Sequence, residues 1–292
     1  MKRVCLAVCL AAIALSAGCG SNVLSPLADD DTKEADITEA RMALDDADYN
    51  TAISLVRPHY SPARPDPEAA RILASAHMGK AGIDLTYLIG NIRGNDMGSP
   101  FDVISSALCL RVQQKGEARF VSKDDIDSLI LPELEGAVGI LGSLAERCTD
   151  DDAVQRGMAA SLHFVTLAGS FASAASGAPA GFEGLAPVNE AAYRIFFPHD
   201  ATLDERLAGV SRALENDDSS LRAMQDDLVY VNDALGALAE SIGPGEDITE
   251  EVRDFLGDIL GLSGPGLLDD SVVRASFTAR RLSAFIRTML AE

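Results

Sequence analysis

Apolar residues recur along most of this chain at three- and four-residue spacing, which places side chains on one face of an α-helix. Alternating β-branched runs with Asn-Gly or Asp-Gly turns, the mark of strands, are missing. The helical pattern covers 37–46, 49–59, 67–90, 101–115, 123–147, 151–176, 188–196, 203–215, 218–242, 248–261 and 269–291. Helix starts are well marked. Asp66-Pro67 supplies a cap followed by proline at the first helical position. Ser122 with Asp125, Thr149 with Asp152 and Thr202 with Glu205 have capping-box spacing, and Asp247 and Asp269 read as further caps. The pattern predicts an all-α protein, a stack or bundle of helical hairpins.

Two stretches depart from amphipathic patterning. At the start, Met1-Lys2-Arg3 precedes an uncharged run from Val4 to Leu15, a secretory signal too short to span a bilayer as a mature helix. The run ends Leu15-Ser16-Ala17-Gly18-Cys19, which resembles the lipobox of bacterial lipoproteins, although Ser16 stands where that family most often has Leu. The resemblance implies cleavage after residue 18, lipidation of the Cys19 thiol and acylation of the new amino terminus. Two or three acyl chains make a lasting anchor where one does not. Gly20 in place of Asp implies sorting to an outer membrane, with the body facing the periplasm. Residues 19–36, with Pro26 and Asp29-Asp30-Asp31, then read as a solvated tether.

The second departure is 157–182, which carries no Asp, Glu, Lys or Arg. Six polar residues, from Ser161 to Ser176, interrupt its apolar positions, and Gly177 to Gly181 end it. This reads as a central helix surrounded by others. The alternatives are a membrane-inserted segment or the wall of an apolar cavity.

Charge narrows the function classes. The 292 residues include 24 Lys and Arg against 45 Asp and Glu, for a net charge of -21. So acidic a chain is repelled by nucleic-acid phosphates and by anionic headgroups. Aromatics are only 5% and Trp is absent, which argues against stacking platforms. The Asp clusters sit at helix starts, where the helix dipole favours negative charge. No segment fits a calcium loop of the EF-hand kind. Residues 271–292 are the one basic segment, with Arg274, Arg280, Arg281 and Arg287, either a patch for an anionic partner or cations meeting the acidic body.

Beyond the leader, Cys109 and Cys148 form an even pair in an exported chain. They read either as a disulfide, contributing about 3–4 kcal/mol, or as two separate buried thiols. The histidines, at 59, 77, 163 and 199, are scattered singly and without a CxxC, so no metal centre is expected. His163 reads as a hydrogen-bonded core residue in preference to a buried acid or base. Glu133 and Glu135, two apart on a helix, point to different faces. No hydrolase, phosphate-loop or dinucleotide motif is present, and no cofactor or catalytic role is expected.

Residues 36–85 carry Ala40, Ala43-Leu44, Ala47-Asp48-Tyr49, Ala52-Ile53 and Leu55, then Pro67 to Ala70, Leu73-Ala74 and Gly82. Ala40 and Ala74 are 34 apart, and the whole resembles a tetratricopeptide repeat with a partial second copy. Asp36 and Ala70 stand where an aromatic is expected and His59 where a small residue is expected, while Thr86 and Gly90 break the last helix. The resemblance implies paired helices and a surface for proteins or peptides.

The expected organisation is a signal at 1–18, a lipidated tether at 19–36, hairpins at 37–95 and a helical bundle at 96–292. The expected function is a lipid-anchored interaction or scaffold module of a bacterial envelope. The alternative is a ligand-binding accessory lipoprotein of a transport system, taking a small apolar molecule. An unrecognised envelope enzyme comes third.

Overall fold

The computed structural model describes residues 32–82, 126–144, 147–176, 203–242, 247–262 and 268–289. These residues are 83% helical and contain no strand. The helices are α1 (Lys33–Asp45), α2 (Tyr49–Val56), α3 (Pro67–Lys80), α4 (Leu131–Gly142), α5 (Asp150–Ser176), α6 (Leu203–Glu215), α7 (Asp218–Ile242), α8 (Asp247–Leu260), α9 (Asp270–Ser276) and α10 (Ala279–Met289). They form an all-α stack in which packing follows chain order: α1 on α2, α2 on α3, α3 on α4, α4 on α5. Helices α5 and α7 make the most extensive contact, α6 and α10 close one side, and α8 and α9 lie against α7.

The hairpins at the start follow from local chemistry. Thr32 accepts from the Ala35 amide at 3.2 Å, so α1 starts at Lys33 and takes in the last residues assigned to the tether. Helix α1 ends with the Asp48 amide donating to Ala43 O at 2.8 Å and the Ala47 amide to Leu44 O at 3.0 Å. This double closure puts Ala47 in the left-handed region at φ 57°. Asp48 then caps α2 by accepting from Thr51 N. Along this pair Ala40, Ala43 and Ala52 are buried, as are Ala69, Ala70, Leu73 and Ala74 of α3. Small residues there let the backbones close up, while Leu44, Tyr49, Ile53 and Leu55 fill the edges. The Tyr49 ring lies on Gly79, where a Cβ would come within 2.2 Å of it.

Several helices differ from the sequence pattern. The segment 49–59 is α-helical only to Val56 and tightens to a 3₁₀ turn over Arg57–His59, because Pro58 has no amide to continue the ladder. Helix α3 stops at Lys80 rather than residue 90, with Gly82 at φ 92°. Within 123–147 the described residues run from a π-turn at Ile126–Ile130, ahead of Pro132, into an α-helix that ends at Gly142. The last segment is two helices. Phe277 is extended, and Thr278 restarts the chain by accepting from Arg281 N at 3.3 Å. The break drops Phe277 into the core, edge-on to Phe164 with ring centroids 5.5 Å apart. Asp269 stands at the start of α9 but its side chain makes no capping bond, whereas Asp66 accepts from Ala69 N at 3.0 Å as expected. Thr149 and Asp152 exchange their reciprocal capping bonds at 3.3 and 2.8 Å. Segments 101–115 and 188–196, with Ser122, Asp125 and Thr202, lie outside the described residues.

Candidate functional site

Helices α1, α3 and α5 enclose an open cleft of about 590 Å³. Leu44, Pro67 and Ile72 supply its apolar lining, and Arg41, Asp66, Glu68, Arg71, Ser75 and Gln155 its polar lining. The polar lining is ordered by pairing. Lys33 Nζ meets Asp66 at 2.6 Å and Arg41 Nη2 meets Glu68 at 2.6 Å. Arg71 donates through Nε and Nη2 to Asp152, a residue with no solvent exposure. Burial works against the Asp152 charge, but Arg71 and Thr149 outweigh it and hold the carboxyl below its ordinary range. Gln155 Nε2 donates to Ser75 Oγ at 2.9 Å, tying α5 to α3. Each of these charges is balanced by a neighbour. Such a lining suits the neutral amides and side chains of a peptide better than a phosphate or a free ion.

A second set of polar contacts lies between the helices. His59 Nε2 sits 2.6 Å from Asp36 Oδ2. These are two of the positions that depart from the repeat pattern, and they answer each other. His77 Nδ1 lies 2.6 Å from Glu133 Oε2, and Lys80 Nζ lies 2.5 Å from Glu133 Oε1, joining α3 to α4. Burial pushes the Glu133 carboxyl up, but Lys80 and His77 together hold it lower than usual. His77 Nε2 is buried and meets no partner among the described residues.

The third pair is the deepest. His163 Nδ1 lies 2.8 Å from Asp227 Oδ2, with side chains 8% and 2% exposed. Burial pushes the Asp227 carboxyl up to about 6, against the pull of His163. Burial opposes the His163 charge, yet its bond to Asp227 and the carboxylate's field leave the imidazole above its ordinary range. Two turns away Arg156 Nη2 meets Asp233 at 2.9 Å while its guanidinium lies over the Tyr230 ring, 4.4 Å from the centroid. Asp227 was reachable from sequence: it falls in the apolar stripe of Met224, Leu228, Val231 and Leu235. His163 is the hydrogen-bonded core residue that the sequence suggested, but its partner lies 64 positions away, beyond the reach of any local pattern.

The remaining predicted residues are placed as follows. Cys19, Cys109 and His199 lie outside the described residues. Cys148 carries no disulfide among the described residues; it is half-buried, its Sγ donates to Thr149 O at 3.5 Å, and burial pushes the thiol up. Glu133 faces α3, while Glu135 acts on the His163 pair. Arg274 donates to Asp226 at 2.7 and 3.0 Å, so this cation meets the acidic body. In the uncharged stretch, Gly157 is a helix contact: a Cβ there would lie 2.2 Å from Ala234 Cβ. No described helix is long and apolar enough to cross a membrane, and no group of three or more metal-ligating side chains occurs among the described residues. No protein-family model, curated protein or solved structure matches the chain.

Proposed function

We propose that this chain is a lipid-anchored extracytoplasmic interaction module of a bacterial envelope, held to the outer membrane through Cys19 and docking a protein or peptide partner in the cleft between α1, α3 and α5. The observation that carries the docking half is the cleft itself, where apolar side chains lie beside charges that are already paired. Such a lining keeps its form when a neutral segment enters, because no charge has to be stripped of its partner. The leader supports the anchoring half: a basic start, an uncharged run and small residues before Cys19.

Photo-crosslinking in intact envelopes tests the docking. A photoreactive residue at Ser75 or Leu44 yields a discrete adduct that the same residue at Glu215 on α6 does not. Adducts from all three positions alike, or from Glu215 only, refute it. Labelled palmitate tests the anchor. The label enters the wild type and is lost in Cys19→Ser; label persisting in that variant, or absent from the wild type, refutes it.

A further inference from the structure

Helices α5 and α7 run antiparallel, in a register fixed by three contacts: Arg156 with Asp233, Gly157 with Ala234, and His163 with Asp227. At His163 the seam is closed to solvent. Besides His163, the groups whose charges act on Asp227 are both acidic. Glu135, exposed on α4, acts through its charge, and Asp226 neighbours the pair on α7, though Arg274 of α9 holds the Asp226 carboxylate. Helix α6 turns Leu207, Val210 and Leu214 inward and leaves Asp204, Glu205, Arg212 and Glu215 exposed. Helix α8 likewise buries Leu256, Ile259 and Leu260 and exposes Asp254 and Asp258. A pair stripped of its proton would leave an unbalanced negative charge in this setting, at a cost too large for a packed core to ignore.

We propose that His163 and Asp227 form a proton-operated latch at the centre of the stack, which clamps α5 onto α7 as the pH falls and releases it as the pH rises through neutrality. The two groups act in the same direction. Each binds its proton more tightly folded than unfolded, so each adds stability in acid and loses it as pH rises, Asp227 between its ordinary value and about 6 and His163 above its ordinary value.

The test compares the full chain with Asp227→Asn, which keeps the shape and an acceptor but cannot take the proton. Urea unfolding is followed from pH 4 to 8 in one detergent buffer. Using the ratio of the two unfolding constants cancels the effect of the acidic surface. The wild-type constant, divided by that of the variant, rises about thirtyfold between pH 4 and 6. A flat ratio overturns the proposal. Should the variant not fold, the His163 ring nitrogens are followed by NMR in the wild type. A ring that stays protonated past pH 6.5 upholds the latch, and a ring already neutral at pH 6 overturns it.

Discussion

The hairpins α1–α3 and the pair α5–α7 solve the same problem, holding two helices close, with opposite materials. In α1–α3 the contact is alanine against alanine and leucine, with charged pairs such as Arg41–Glu68 kept at the surface. In α5–α7 a glycine and an alanine make the closest approach, but Arg156, Asp227 and His163 are buried on either side of it. Exposed pairs contribute about 0–1 kcal/mol each, whereas removing one partner of a buried pair costs about 3–5 kcal/mol. The first region therefore tolerates charge changes that the second does not.

The largest test of that contrast is Asp227→Ala, which strands the His163 ring. It should destabilise the protein by about 3–5 kcal/mol in chemical unfolding, while Glu68→Ala costs under about 1 kcal/mol. Similar values for the two would abolish the distinction. Next come the glycines. Gly157→Ala forces a methyl against Ala234 and should cost about 1–3 kcal/mol in the same assay. Gly79→Ala meets the Tyr49 side chain first, where Gly157→Ala also meets the Tyr230 backbone carbonyl, and should cost less. Gly139, with nothing within 4 Å, should accept Ala with a gain of up to about 1 kcal/mol.

Acidity separates the regions further. Asp66, Asp152 and Glu133 have lowered folded pKa values, so the contacts they make are fully present above their ordinary range and fade as pH drops below it. Hydrogen exchange, corrected for intrinsic rate, should show α3 losing protection below about pH 4, while α5 and α7 gain it between pH 8 and 5. Parallel behaviour of both would refute the assignment. The smallest effect is Ala47→Gly, which relieves a left-handed alanine and should stabilise by up to about 1 kcal/mol in thermal unfolding.

What was legible in the sequence follows the same division. Caps at Asp66 and Thr149 act within four residues of themselves, so spacing alone reveals them. The alanines at 40, 43, 52 and 74 fall at helical spacing with leucines and are equally readable. The break at Phe277 was missed because helical spacing continues through it; only Thr278, a capping residue three before Arg281, hints at a restart. The cleft was invisible in the pattern because its walls come from three helices, and Arg71 finds Asp152 81 positions away. Polar pairs across that distance depend on the packing that brings the helices together, which no local window contains.

Packing in chain order has a mechanical consequence. A pull entering through the residues ahead of Lys33 reaches α1 first, and among the described helices α1 rests chiefly on α2 and α3. Those supports are small apolar contacts and surface ion pairs, whereas the joint between α5 and α7 lies several layers further in. Under load the first of the described hairpins would peel away like a leaf of a book, sparing the spine, so that strain is spent before it reaches the joint between α5 and α7.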